Sequence, residues 1–163
     1  MRFLWLIPII AVTLFDQLSK YIAVEKLMPI DTFPIIEDVF HLTYLENRGA
    51  AFGMLANHRW VFMAVSTAAV IGIIAFMLIS YKKYYNPLLY TALAMVAGGG
   101  VGNMIDRIYL GYVVDFFDFR LIDFAIFNVA DSFVCVGCAM VILYIIISDI
   151  KETKKKKADS VSE

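Results

Sequence analysis

The sequence is poor in charged residues and in the residues from which many catalytic centres are built. Only 18% of its 163 residues are charged, whereas 61% are hydrophobic. So high a hydrophobic fraction excludes an ordinary soluble globular domain. The chain also has only two histidines and two cysteines, which limits the metal and thiol chemistry that it can support.

The few histidines and cysteines are placed where they argue against several kinds of active site. His41 and His58 lie in one loop and form no H-E-x-x-H motif, so an intramembrane metalloprotease is not indicated. No G-x-S-x-G motif occurs, and Ser132 has no histidine close to it in sequence. Cys135 and Cys138 form a single C-x-x-C within an apolar run, for which we predict a packing role.

What the sequence has in abundance is long apolar runs. A membrane-spanning helix needs about 20 consecutive, mostly apolar residues. Four segments satisfy this requirement: Phe3–Val24, Trp60–Tyr81, Leu88–Tyr109 and Asn128–Ser148. The glycines of "GGGVGN" lack the lysine of a phosphate-binding loop and are expected to let helices approach closely. We therefore predict an all-α membrane protein with four transmembrane helices in a single domain, residues 1–150.

Positive charges indicate how these helices are oriented. They flank the predicted spans at Arg2, Lys82, Lys83, Lys151 and the run Lys154–Lys157. By the positive-inside rule, both termini and the loop between the second and third spans are cytoplasmic. The loops 25–59 and 110–127 then face the other side of the membrane. The basic tail 151–163 is expected to be disordered, with its lysines near anionic headgroups.

The two outer loops differ in character. In the first loop, "VFHLTYLE" is β-branched and aromatic with a period of about two, which predicts a strand. The following "NRGAAFGML" is small and apolar, as expected for a short helix or a re-entrant piece. We expect this loop to form a small extracytoplasmic cap that contains β-structure. The second loop, "GYVVDFFDFRLIDFAIF", is rich in aromatic residues, which favour the membrane–water boundary.

The polar residues within the spans should meet at one level. At 1.5 Å per residue, Asp16 lies about 20 Å along the first helix from Phe3, in its outer part. The same outer level is predicted for Lys20, Asn103, Asp106, Arg107, Asn128 and Asp131, with Asp115 in the adjoining loop. Ionisable residues within spans are rare and indicate function by default. For four of these residues a structural role is an equally good interpretation, with ion pairs between Asp16 and Lys20 and between Asp106 and Arg107.

Asp115 and Asp131 have no obvious cationic partner, and a functional role is favoured for both. Two carboxylates in a pocket of low dielectric cannot both ionise easily, so one holds a proton while the other stays charged. Such a pair can activate water and protonate a leaving amine, as in aspartic proteases. A divalent ion held by Asp106, Asp115 and Asp131 is an open alternative, although their spacing is not diagnostic.

Five sequence blocks together resemble those of the signal peptidase II family, bacterial lipoprotein signal peptidases that are aspartic proteases of the cytoplasmic membrane. The blocks, in order along the chain, are "DQLSK" (16–20), "NRGAAF" (47–52), "GNMIDR" (102–107), "VVDF" (113–116) and "FNVADS" (127–132). Chain length and the four-span plan also agree, so the resemblance covers nearly the whole chain.

The resemblance implies roles for individual residues. Asp115 and Asp131 match the catalytic pair, and Asn128 matches a residue that orients it. Four further positions match residues that line the substrate site: Asn47, Gly49, Asn103 and Arg107. Asp16 and Lys20 match residues that support the architecture and the substrate pocket.

The resemblance also implies a substrate, a prolipoprotein whose lipobox cysteine carries a diacylglyceryl group and which is cut just before that cysteine. It implies no metal, no cofactor and no nucleic acid. Membrane lipids are the expected surroundings, and we expect a monomer. The expected location is the bacterial cytoplasmic membrane, with the active site near the extracytoplasmic face.

Two other functions fit the composition. A small proton-coupled transporter would use the embedded acids as a relay, but a relay should continue toward the cytoplasmic side, where the third and fourth spans have no such residues. A structural or lipid-binding membrane protein would use the acids only in ion pairs. In that protein, Asp115 and Asp131 would tolerate replacement by Asn.

Overall fold

Four long helices form the body of the molecule. The computed structural model describes residues 2–49 and 59–159. The helices are α1 (Leu6–Leu27), α2 (Arg59–Tyr84), α3 (Pro87–Tyr109) and α4 (Val129–Asp159). All four are long and apolar enough to cross a membrane. The predicted four-helix membrane architecture is confirmed.

Local signals fix both ends of α3. At its start the Asn86 side chain accepts hydrogen bonds from the backbone N–H groups of Leu88 and Leu89, with Pro87 in the first turn. At its end Gly111 adopts a positive φ of 84°, and its N–H donates to the carbonyl of Asp106. A glycine takes this left-handed conformation at little cost, so the chain can leave the helix and turn back.

Helix α3 packs against each of the other three helices, and its glycines make two of these contacts close. A Cβ atom on Gly98 would lie 2.7 Å from the Cβ of Val12 in α1. A Cβ atom on Gly99 would lie 2.5 Å from the carbonyl oxygen of Ala130 in α4. The prediction that these glycines allow close helix packing is therefore confirmed.

A three-stranded antiparallel sheet covers one end of the bundle, which we call the sheet end. Its strands are β1 (Thr32–Ile36), β2 (Phe40–Asn47) and β3 (Val113–Asp118), in the order β1-β2-β3. In the pairing of β2 with β3, Leu45 lies opposite Asp115. The predicted strand is β2, whereas β1 and β3 were not predicted. Residues 50–58, which hold most of the expected short helix or re-entrant piece, lie outside the described residues.

Two apolar clusters hold the bundle together. The cluster at the sheet end joins α1, β3 and α4 through Ala23, Leu27, Val114, Phe116 and Val129. The cluster near the opposite end contains Ile9, Met77, Leu89, Tyr90, Ala94 and Ala97. The Tyr90 hydroxyl, which is fully buried, donates to the Met77 carbonyl at 3.1 Å. Burial of the ring there does not leave its polar atom unsatisfied.

Two sequence-based expectations are wrong. Residues 151–159 are not disordered but continue helix α4 to Asp159, because Lys, Glu and Ala are good helix formers and lysines near a helix C-terminus oppose its dipole. The two cysteines do not pack in the core. Cys135 and Cys138 are both exposed, and Cys135 lines a cavity.

Candidate active site

A cavity of about 510 Å³ opens at the sheet end of the bundle. Its polar lining consists of Asn47, Asn103, Arg107, Asp115, Asp131 and Ser132. Most of the remaining wall is apolar and comes from residues 124–127, the loop that precedes α4. The cavity therefore combines a small polar floor with an apolar side, as is typical of ligand-binding pockets.

Asp115 lies in the middle of β3 and is only 1% exposed. Its Oδ1 accepts a hydrogen bond of 2.6 Å from Asn128 Nδ2, and its Oδ2 accepts one of 2.8 Å from Asn47 Nδ2. Burial raises the pKa of Asp115 to about 7, and the negative charge of Asp131 adds to the rise, while the two amides and Lys20 oppose it. The Asp115 carboxyl can therefore carry a proton near neutral pH.

Asp131 lies in the first turn of α4 and also lines the cavity. Its Oδ1 accepts a hydrogen bond of 2.8 Å from Asn103 Nδ2 in α3. Its Oδ2 accepts a hydrogen bond of 3.2 Å from the backbone N–H of Asn128, and its own N–H donates to Asn128 Oδ1 at 3.0 Å. This reciprocal pair of bonds is a capping box, so the start of the helix fixes the carboxylate.

Asn128 connects the two carboxyl groups and is fully buried. Its side-chain oxygen holds the backbone of Asp131, while its side-chain nitrogen makes its shortest contact with Asp115. The same nitrogen lies 3.1 Å from Asn103 Oδ1. Asn128 thus contacts both Asp115 and Asp131, and its role in orienting the pair stays a prediction.

The other cavity residues also have defined partners. Asn47 Oδ1 accepts a hydrogen bond of 3.0 Å from the Gly49 N–H, which leaves its Nδ2 facing Asp115. Arg107 Nη1 donates to the Asn103 carbonyl at 3.2 Å, and its side chain lines the cavity. Guanidinium and amide donors on a cavity floor can bind the carbonyl oxygens of a peptide.

The embedded ion pairs are only partly as expected. Lys20 Nζ lies 2.9 Å from Asp16 Oδ2, so the first predicted pair forms. The carboxylate of Asp106, however, lies 3.0 Å from Lys20 rather than pairing with its neighbour Arg107 as expected. Consecutive helical residues point in different directions, which explains why Asp106 and Arg107 face different parts of the molecule.

Sequence reasoning did not identify two features of the site. One is Gln17, whose Nε2 donates to Asp106 Oδ1 at 2.9 Å; its position next to Asp16 gave no spacing signal. The other is the apolar wall formed by residues 124–127. The aromatic residues of this loop are the available signal, but their pattern predicts a position at the membrane interface and not a cavity wall.

The chain is similar to known proteins over almost its whole length. A family profile described as "Signal peptidase (SPase) II" matches residues 8–147. A lipoprotein signal peptidase of Caldanaerobacter subterraneus subsp. tengcongensis is 49% identical over 142 residues, which are 86% of this chain and 94% of that protein. A lipoprotein signal peptidase of Clostridioides difficile is 40% identical over 148 residues, covering 91% and 98% of the two chains.

A solved structure is also similar to this fold. It is described as a bacterial membrane enzyme, determined by the in meso method at 2.3 Å resolution, and it superposes with a TM-score of 0.76. The two sequences are 32% identical, and the alignment covers 93% of this chain and 90% of the other. The likeness therefore includes both the helical bundle and the sheet.

Proposed function

This chain belongs to the signal peptidase II family, and from that premise we propose that Asp115 and Asp131 are the catalytic pair of an aspartic endopeptidase. The observation that supports this assignment is that both carboxyl groups face one cavity and are joined through Asn128. Membership of a peptidase family gives no support to the alternative of a proton-coupled transporter.

In the proposed reaction the two carboxyl groups share the proton transfers. Asp131, as carboxylate, takes a proton from a water molecule whose oxygen attacks the carbonyl carbon of the scissile bond. Asp115, as carboxylic acid, gives its proton to the carbonyl oxygen, and a tetrahedral diol forms. Asp131 then protonates the amide nitrogen, the carbon–nitrogen bond breaks, and the diol returns a proton to Asp115. The raised pKa of Asp115, about 7, supports this division of roles.

The proposed substrate is a prolipoprotein with a diacylglyceryl-modified cysteine, cut on the amino side of that cysteine. The lipid would keep the scissile bond at the membrane surface, which is the level of the cavity if the helices cross the bilayer. The apolar wall of residues 124–127 suits acyl chains or apolar side chains. Asn47 and Arg107 would bind the peptide backbone, in the positions that line the cavity floor.

We also propose an orientation in the bacterial cytoplasmic membrane. Both termini would face the cytoplasm, and the sheet end would face outward. The basis is the positive-inside rule, because Lys82, Lys83 and the lysines of the tail lie at the end of the bundle opposite the sheet. Labelling of single cysteines placed near Lys83 and near Asp123 with a membrane-impermeant reagent in intact cells would test it. Only the cysteine near Asp123 should react, and the reverse pattern would invert the topology.

The catalytic assignment is tested by cleavage of a diacylglyceryl-modified prolipoprotein with purified protein in detergent. We expect wild-type activity to persist with a chelator present and to be lost in both Asp115→Asn and Asp131→Asn. The exposed Asp149→Asn, on the same helix as Asp131, is the matched control and should stay active. Folding of each variant is checked by thermal unfolding.

Two results would contradict the proposal. Cleavage that survives either catalytic substitution would remove the pair and return both acids to a structural role. If folded wild-type protein does not cut the lipidated substrate, proton flux into liposomes becomes the informative measurement, and a flux would favour the transporter.

A further inference from the structure

We propose that a buried triad of Asp16, Lys20 and Asp106 sets the separation of the two catalytic carboxyl groups. It does so by holding the backbone immediately before each catalytic residue. This inference rests on the proposed function, since it takes Asp115 and Asp131 as the catalytic pair. It assigns Asp106 a positioning role that its place in the sequence did not suggest.

One arm of the triad holds the start of α4. Asp16 Oδ1 in α1 accepts a hydrogen bond of 2.9 Å from the backbone N–H of Ala130, the residue before Asp131. The first N–H groups of a helix have no partner within the helix, and a carboxylate there is also favoured by the helix dipole. Asp16 therefore fixes the position of the first turn of α4 relative to α1.

The other arm holds strand β3 in the same way. Asp106 Oδ2 in α3 accepts a hydrogen bond of 3.1 Å from the backbone N–H of Val114, the residue before Asp115. Both Val114 and Asp106 are buried, at 1% and 3% exposure. Each catalytic residue is thus preceded by a backbone N–H that a carboxylate from a different helix holds in place.

Lys20 ties the two arms together. Its ammonium group lies 2.9 Å from Asp16 Oδ2 and 3.0 Å from Asp106 Oδ2. It also donates to Asn103 Oδ1 at 2.7 Å, and Asn103 in turn donates to the Asp131 carboxylate. An ammonium has three protons, and these three acceptors use all of them. A shift of one arm is therefore transmitted to the other through a single group.

The triad is buried and its hydrogen bonds are satisfied. Asp16, Lys20 and Asp106 are 0%, 3% and 3% exposed. Gln17 completes the set by donating to Asp106 Oδ1 at 2.9 Å. In a low-dielectric interior such a network is stiff, because breaking any one bond leaves a buried charge or dipole without a partner.

The cavity lining supports positioning rather than direct catalysis. Within the part of the chain that the structure describes, the triad residues are not among those that line the cavity. Asp16 and Asp106 bind the backbone just before each catalytic residue. Lys20 binds Asn103, which in turn donates to the Asp131 carboxylate. A misplacement of reacting groups by about 1 Å can lower a rate about 100-fold, so loosening either arm should act mainly on kcat.

The test compares Asp16→Asn, Asp106→Asn and the double variant with wild type, and measures kcat and KM for a diacylglyceryl-modified prolipoprotein. Asp149→Asn serves as the matched control, and thermal unfolding monitors folding. We expect each single variant to lose about 100-fold in kcat with little change in KM. We expect the kcat of the double variant to be only slightly lower than that of the less active single variant, because both arms act through Lys20.

A milder variant covers the case in which the charge-removing variants do not fold. Gln17→Met keeps all three charges of the triad and removes the amide that donates to Asp106 Oδ1 at 2.9 Å and, over longer distances, to Asp16 Oδ2 and the Gly102 carbonyl. The loss of the shortest of these bonds should lower kcat about fivefold and leave KM unchanged. If the Asn variants are unfolded, the kcat of Gln17→Met tests the inference. A Gln17→Met enzyme with wild-type kcat overturns it.

The remaining outcomes are equally decisive. If folded Asp106→Asn keeps the wild-type kcat and only its melting temperature is lowered, the triad stabilises the fold without positioning the catalytic residues. That result would overturn the inference. A raised KM with unchanged kcat would also overturn it, in favour of substrate binding. Asp115→Asn is assayed in the same experiment. If it is inactive, either of these two results overturns the role of the triad alone. If Asp115→Asn is active, both the proposed function and this inference are overturned.

Discussion

Replacement of Asn47 by Ala should raise the pKa of Asp115 and thereby change how activity depends on pH. Asn47 Nδ2 donates to Asp115 Oδ2 at 2.8 Å. Burial already raises the pKa of Asp115 to about 7, and this hydrogen bond acts in the opposite direction because it stabilises the ionised carboxylate. Without the bond, the ionised form loses a donor and the proton is held more tightly.

The size of the shift follows from the bond that is lost. A hydrogen bond to a charged group contributes about 1.5–3 kcal/mol, and one pKa unit corresponds to about 1.4 kcal/mol. Asp115 is only 1% exposed, so solvent screens the interaction little. Because water can enter the space that the amide leaves, the lower figure applies. We expect an upward shift of about one unit.

The assay is the pH profile of kcat/KM for cleavage of the lipidated substrate in detergent. In the proposed mechanism Asp115 must be protonated, so activity is lost as the pH rises through its pKa. The high-pH limb of the wild-type profile should lie near pH 7, and in Asn47→Ala it should move to about pH 8. Because the two carboxyl groups are coupled, the limb reports the pair and not one residue in isolation.

The control is Asn86→Ala, which removes the two hydrogen bonds that the Asn86 side chain accepts at the opposite end of the bundle. Asn86 caps α3, so its loss should cost about 1 kcal/mol in stability and leave the pH profile unchanged. A high-pH limb that stays in place or moves down in Asn47→Ala would refute the reasoning. In that case Asp115 would not be the group that must carry the proton.

Two further predictions concern stability. Gly99→Ala should destabilise the protein by about 1–3 kcal/mol, because the added Cβ would lie 2.5 Å from the Ala130 carbonyl oxygen. Gly72→Ala is the control: nothing lies within 4 Å of the added Cβ, and alanine is the better helix former, so this change should not destabilise the protein. Thermal unfolding measures both. The pKa of Asp115 in the folded protein, about 7, lies above its ordinary value of 3.8, so its contribution to stability is full below that ordinary value and is lost as the pH rises to about 7. Over that whole pH range the protein loses on the order of 4 kcal/mol of stability. Between about pH 5 and about pH 8, the melting temperature of wild type should therefore fall more than that of Asp115→Asn. Equal falls in the two proteins would contradict the raised pKa.

Long-range apolar patterns in the sequence were sufficient to predict the bundle. Spans of about 20 apolar residues are unambiguous because few other structures produce them. The prediction of a disordered basic tail is wrong for residues 151–159, because α4 continues to Asp159. A charged segment of good helix formers can extend a helix that the membrane span has already nucleated.

The sheet was less predictable because only β2 has a suitable pattern. In β3 the four residues from Val113 to Phe116 are all buried, so polar and apolar residues do not alternate as they do in a half-exposed strand. In β1 most residues are exposed and Pro34 interrupts the pattern. Both strands form because β2 lies between them and pairs with each.

For the candidate site, the helical spacing and the topology predicted which polar residues would meet, and the structure brings them together at one end of the bundle. The hydrogen-bond partners could not be predicted in this way. The bond from Asp106 to Val114 and the ion pair of Asp106 with Lys20 join different elements. No local spacing rule relates such residues, since their contact depends on how the helices pack.

The amide groups that hold the carboxyl groups of Asp115 and Asp131 come from three separate parts of the chain, so the site is complete only when all three parts are in place. Asn47 belongs to β2, Asn103 to α3, and Asn128 precedes α4. A chain that has inserted its first three helices still lacks Asp131 and Asn128, so its peptidase centre does not yet exist. If Asp115 and Asp131 are the catalytic pair, hydrolytic activity therefore starts only once the fourth helix is in place.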